Sequence, residues 1–397
     1  MASTSRSLTA SSVLFVVLVA GAVLALGARA AVTVRDADIA DVRCFYEAGR
    51  LVAAGSDPYD RATWAAAVYT DPDRVPHCAR TFIYPLWTAV AMAPLSVLPE
   101  RAAVGLWEAI LFACSLGAIA FISRTWAMLG GAKLLLVTLL WSQPMFSAIG
   151  NAQFGPVILL SFAALSYALE RGRARTLAAA WWLMLLKPHI TALVMAGTLL
   201  TISRRAAGVL VAGALVIGAA TLLLIPTWPV DLVRENLDQQ QLLGDRGLGT
   251  LWTLSSDLGL PAIVGGAAAV LLVLGCAAML PRRRLRPREI VAALVAASLL
   301  LTPYARPHDL VVLAVCWGAG LAAAKQAQVG ARATLTLLVI ASGLVIPWTV
   351  TVLSLFGAPL SLYVTVSIAT AALTVVAIRN PGLARDGAGV RSTVDGG

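Results

Sequence analysis

The feature that most constrains this chain is its succession of long apolar runs. They fall at 13–26, 82–98, 103–123, 134–150, 154–169, 177–186, 190–202, 206–225, 262–280, 290–302, 310–324, 334–350 and 360–378. A helix that crosses a bilayer needs about 20 apolar residues, fewer where it lines a cavity or is buried in protein. Unbroken apolar runs read as helices and not as barrel strands, whose pattern alternates. Composition agrees: 13% of the 397 residues are charged and mean hydropathy is +0.84, against about 25% charged in soluble domains. A soluble globule, a disordered chain and a nucleic-acid module are excluded, so the basic balance of +10 calls for no nucleic-acid partner. The expectation is an all-α polytopic membrane protein surrounded by membrane lipids.

Whether the run at 82–98 crosses decides the topology. It carries Pro85 and Pro94 and reads as an interfacial segment. Twelve spans then remain, with both ends of the chain on the cytoplasmic side. That side receives 18 basic residues against four acids, including the arginines at 171, 173 and 175 and the five-arginine loop at 282–288. If 82–98 crossed, both of those arginine clusters would face out, against the positive-inside rule. The parse gives one domain over 1–378, with outer loops at 31–101 and 226–261, and a disordered cytoplasmic tail at 379–397. The alternative for the N-terminus is a cleaved signal peptide ending near Ala31, although its apolar stretch is long for one.

Polar residues gather at helix ends on the outer side: 41–50, 55–60, 82–85, 150–156, 187–189 and 304–309. The cytoplasmic side carries no comparable polar cluster, only basic loops. The runs at 177–186 and 190–202 are too short to cross about 30 Å of hydrocarbon unaided, and Lys187 falls between them. Either they are two short helices that bury a polar turn in protein, or one long helix with a snorkelling lysine. The long helix would put Lys187 near mid-bilayer at a cost of roughly 2.5–3.5 kcal/mol.

In this order the clusters resemble glycosyltransferase family 87, membrane enzymes of the GT-C fold that use polyprenyl-phosphate sugars. The family's Asp-x-x-x-(Phe/Tyr)-Tyr-x-Ala-Gly stretch is matched at 41–49. Its Gly-x-x-(Pro/Leu)-Tyr is matched at 55–59, and its Tyr-Pro-Pro by Tyr84 and Pro85. Its Gly-Gln turn is matched loosely by Gly150, Asn151 and Gln153, its Lys-Pro by Lys187 and Pro188, and its late Ser-Pro…His by Thr302, Pro303 and His308. Leu86, Asn151 and Thr302 depart from the pattern. The resemblance implies a GT-C-like bundle with interfacial helices in the long first outer loop. It also implies inverting transfer of a sugar from polyprenyl monophosphate to a lipid-linked or envelope glycan acceptor, on the extracytoplasmic face of the plasma membrane. Mannose is the family's commoner donor sugar and arabinofuranose a known variant.

Such a transfer needs a carboxylate to take the acceptor proton and cations on the departing phosphate. The resemblance and its place after the first span make Asp41 the candidate base, with helix N-capping as the structural alternative. Asp38 and Glu47 are lesser candidates. Lys187, Arg306 and His308 are candidate phosphate ligands. Tyr59, Tyr84, Asn151, Gln153, His189 and Tyr304 are candidate substrate contacts, with Trp87 beside them; an interfacial aromatic belt is the alternative for the rings. A lipid monophosphate can be met by cations alone, so no metal or cofactor is expected. The pairs Asp36/Asp38 and Asp71/Asp73 are read as solvated loop acids, and the five cysteines show no C-x-x-C spacing. Cys44 and Cys78 share the first outer loop and are a candidate disulfide. The rival reading, a lipid-sugar flippase, predicts charges spread through the spans, yet only Glu108 lies clearly inside one.

Overall fold

The computed structural model describes residues 10–69, 78, 81–128, 131–243, 248–283 and 285–380. Asp71, Asp73 and the tail from 381 onward, with the disorder expected there, lie outside these. Every regular element among the described residues is helical. In chain order these are α1 (Ala10–Arg35), α2 (Val42–Ala53), α3 (Arg61–Val68), α4 (Leu86–Met92), α5 (Glu100–Thr125), α6 (Ala132–Trp141) and α7 (Gln143–Gly150). There follow α8 (Gly155–Arg171), α9 (Ala174–Leu183), α10 (Pro188–Thr201), α11 (Arg204–Leu224), α12 (Trp228–Leu243) and α13 (Leu251–Asp257). The last six are α14 (Ala262–Met279), α15 (Pro287–Leu301), α16 (Ala314–Gln326), α17 (Val329–Ile340), α18 (Ile346–Leu355) and α19 (Val364–Arg379).

Seven segments are long and apolar enough to cross a membrane: α1, α5, α11, α14, Pro307–Gln326, Val329–Leu355 and Leu360–Arg379. An eighth, α6 with α7, is bent by 54°. The bend has a local cause. Ser142 leaves helical geometry and accepts from the Met145 N–H at 3.3 Å, and Pro144 opens the next helix. The other four of the twelve expected runs fall on α8, α9, α10 and α15, which are shorter helices. The run at 82–98 becomes α4 and a short 3-10 turn, Ala93–Val97. α1 continues to Arg35 and α5 begins at Glu100, so the first long loop is shorter at its start than the apolar pattern suggested.

α16 is enclosed by α5, α8, α15, α17 and α19. α1, α11 and α14 sit at the periphery and leave Leu24, Leu223 and Leu271 exposed. In a membrane such faces meet acyl chains, so their exposure carries no penalty.

The helix ends form two tied layers. At one, Arg288 donates to the Thr125 carbonyl at 2.9 Å, and its N–H donates to Glu170 at 3.1 Å. Arg283 pairs with Glu289 at 2.8 Å and donates to the Ile378 carbonyl at 3.1 Å. These bonds join the ends of α5, α8 and α19 to the start of α15. Hydrogen bonding to Glu289 raises the Arg283 guanidinium above its ordinary range. At the opposite layer Arg61 pairs with Glu235 at 3.0 Å and Asp238 at 2.6 Å, which fastens α3 to α12. Asn236 donates to the Ile83 carbonyl at 3.3 Å, and the Gly249 N–H to the Ala305 carbonyl at 2.8 Å.

Cys44 of α2 forms a disulfide with Cys78, 34 residues on. Closing a loop of that length stabilises the fold by about 3–4 kcal/mol in the chain-entropy account. A Cys44→Ser protein is therefore expected to unfold at a clearly lower denaturant midpoint than the parent, and reductant should lower the parent to match it.

Candidate functional site

The polar cluster is assembled from four breaks between helices. Asp41 stands at the N-cap position of α2, yet its side chain makes no capping hydrogen bond. Instead its Oδ2 accepts a hydrogen bond from the Gln153 amide. The capping alternative for Asp41 therefore does not hold. Gln153 follows the turn that ends α7 and is 1% exposed. Its Oε1 accepts from Lys187 Nζ at 3.2 Å and from the Tyr84 hydroxyl at 3.3 Å. One amide thus touches the candidate base on one side and a lysine on the other.

Lys187 lies in the break after the 3-10 turn Met184–Leu186, and α10 begins at Pro188. Two short helices are formed, not one long helix. The lysine is 1% exposed and pairs with Asp309, itself 0% exposed, at 2.5 Å. Trp87 braces this break by donating to the Leu185 carbonyl at 2.8 Å, and its ring meets Trp228 edge-on.

Asp309 belongs to the 3-10 turn Pro307–Leu313 that leads into α16. Its second oxygen accepts from the Arg306 backbone N–H at 3.0 Å. His308 Nε2 stands 3.8 Å from Asp309 Oδ1, beyond hydrogen-bond range. The Arg306 Nε–H donates to the Tyr304 hydroxyl at 3.1 Å. Among the described residues the two terminal amino groups of Arg306 make no hydrogen bond. That leaves a planar fork suited to an oxyanion. The turn lies against the start of α8 at Gly155, where a Cβ would stand 2.7 Å from the His308 carbonyl oxygen. Any larger residue there would force the two segments apart.

The charge of Asp41 reaches Tyr84, Tyr304 and Arg306, so the three share one electrostatic neighbourhood. Burial first, and then Asp41, push the Tyr84 hydroxyl well above its usual range; burial does the same for Tyr304. Both phenols remain protonated donors at neutral pH.

A family model described as Glycosyltransferase family 87 matches residues 82–303, over half of the chain. The chain belongs to glycosyltransferase family 87. No curated protein and no solved structure matches it. The matched stretch of this family 87 protein carries Tyr84, Asn151, Gln153, Lys187 and His189. It leaves Asp41, Tyr59, Tyr304, Arg306 and His308 outside.

Not every residue singled out in the sequence reaches the cluster. Tyr59 is buried and donates to the Tyr84 carbonyl at 2.5 Å, so it braces the segment that carries Tyr84. Asn151 folds back onto the Ser147 carbonyl at 2.8 Å. His189 packs edge-on against Tyr304 with ring centroids 5.2 Å apart, and its Nε2 is buried without a partner among the described residues. Asp38 pairs with Arg43 at 2.9 Å and Glu47 with Arg50 at 2.7 Å. Among the described residues no three metal-ligating side chains come together.

Asp309 is the residue that sequence reasoning overlooked. The signal was present: a lysine sealed among helices requires a counter-charge, and 304–309 holds the acid nearest to a second candidate cation.

Proposed function

We propose that this family 87 glycosyltransferase performs inverting transfer of a sugar, mannose in the first instance, from polyprenyl monophosphate. The acceptor is a hydroxyl of a lipid-linked or envelope glycan. The observation that carries the reading is the Gln153 amide, which joins Asp41 to Lys187 and through it to Asp309.

Two carboxylates belong to the cluster, and their surroundings divide the work. Asp309 is sealed and saturated by Lys187 and a backbone N–H. Asp41 is only partly buried, so a substrate hydroxyl can reach it. In the transfer the acceptor oxygen attacks the anomeric carbon from the face opposite the phosphate. The carbon–oxygen bond to phosphate breaks, and the acceptor proton passes to Asp41. Negative charge grows on the departing phosphate, which on this reading the Arg306 fork meets directly, with the buried Lys187 and His308 adding support from behind it. The Tyr84 and Tyr304 hydroxyls are donors within the same cluster.

The extracytoplasmic side is supported by charge and by redox chemistry. Arg283 and Arg288 belong to the layer opposite Asp41, as the positive-inside rule requires if Asp41 faces out. The Cys44–Cys78 disulfide lies on the helix that begins beside Asp41, and such bonds persist in oxidising compartments.

The test is a transfer assay with purified protein in nanodiscs, radiolabelled polyprenyl-phosphate mannose and total envelope lipids of the source cell. Label is expected to move into an acceptor lipid with release of polyprenyl phosphate and inversion at the anomeric carbon. Absence of transfer from both mannosyl and arabinofuranosyl donors would overturn the reading, as would thiol labelling that puts 281–289 and Asp41 on the same side of the membrane.

A further inference from the structure

Gln153 joins the two halves of the cluster, so whatever fixes Gln153 fixes the site. The turn that presents it is gripped from behind by two other helices. Arg29 of α1 donates from Nη2 to the Gly150 carbonyl at 3.0 Å, and the Thr33 hydroxyl donates to the same oxygen at 3.2 Å. From α5, the Trp107 indole N–H donates to the Ala152 carbonyl at 2.8 Å. The turn needs this grip because Ala152 has φ +47°, a left-handed conformation unfavourable for a residue with a Cβ. The Arg29 guanidinium lies directly on the chain at Gly150, where an added Cβ would stand 2.3 Å from its Nε.

We propose that Arg29 and Trp107 are positioning residues for the transfer site. They hold the Gly150 and Ala152 carbonyls so that the Gln153 amide meets both Asp41 and Lys187. Neither touches the polar cluster itself. The inference rests on the reading of Asp41 and Gln153 as site residues, but the clamp itself has a readout that needs no substrate.

That readout is hydrogen–deuterium exchange of the full-length protein in nanodiscs. The Ala152 and Gln153 amides donate within the turn to Ile149 and Ala148 at 3.0 and 2.9 Å. Their exchange is expected to quicken at least tenfold in Trp107→Phe and Arg29→Leu. In the transfer assay the same variants should lose at least tenfold in kcat with donor KM within twofold of the parent, and Arg29→Lys should recover most of the loss. Exchange within twofold of the parent in Trp107→Phe, which removes one N–H and little volume, would overturn the clamp even if the arginine variants fail to fold. A parent protein that transfers no sugar would sink the proposed function and leave the exchange result to decide the clamp.

Discussion

An Asp41→Asn protein is expected to lose about 10³-fold in kcat for sugar transfer, roughly 4 kcal/mol of barrier, and to keep its fold. The size follows from what a positioned base contributes when the attacking hydroxyl must shed its proton. The retained fold follows from the geometry. Asn keeps an oxygen that can accept from the Gln153 amide, and Asp41 caps no helix, so α2 loses nothing at its start. Donor binding should survive, because the proposed phosphate ligands lie on other segments. Single-turnover transfer measured beside donor binding and thermal unfolding separates these effects. Retention of more than about a tenth of the parental rate would remove Asp41 from the role of base and turn attention to Asp309.

The second large effect is on stability as well as on transfer. Lys187→Met leaves Asp309 fully enclosed with its counter-ion gone. Breaking a buried pair from one side costs about 3–5 kcal/mol, because the remaining charge keeps its desolvation penalty. The variant should therefore unfold far earlier in detergent and transfer no measurable sugar. Lys187→Met/Asp309→Leu removes both charges and should recover most of the stability, since apolar residues of similar volume replace such pairs at little net cost. It should stay inactive, because the ammonium that anchors Gln153 is gone. Transfer by the double variant would show that the pair serves folding alone.

The helical, membrane-spanning character of the chain was legible in its apolar runs, because hydrocarbon demands long uninterrupted segments and leaves them plainly visible. All twelve expected spans fall on helices, but seven of them meet the length and hydropathy of a full crossing. The shortfall lies where breaks carry polar side chains: Ser142, Lys187 and the residues around 304–309. Those breaks interrupt the pattern for the same reason that they build the cluster. Asp41, Gln153, Lys187 and His308 were singled out by sequence, and the structure brings their segments to one end of the bundle. What the sequence did not reveal was pairing. Lys187 and Asp309 stand 122 residues apart, and no periodicity links two positions across such a gap. Tyr59 and Asn151 show the same limit. Both have residue types suited to a sugar, yet their hydrogen bonds close on nearby backbone, a destination that residue type alone does not disclose.

The separation of 122 residues between Lys187 and Asp309 also bears on how the protein is made. At synthesis rates of about 5–20 residues per second, the ammonium waits roughly 6–24 seconds for its partner to leave the ribosome. During that interval α9 and α10 cannot settle around an unneutralised charge without penalty. The insertion machinery must therefore hold them in a wet or shielded place until the segment at 307–313 arrives. The cluster therefore cannot close before the segment at 307–313 has been made, and a chain truncated before residue 309 should be recognised by quality-control proteases as unfinished.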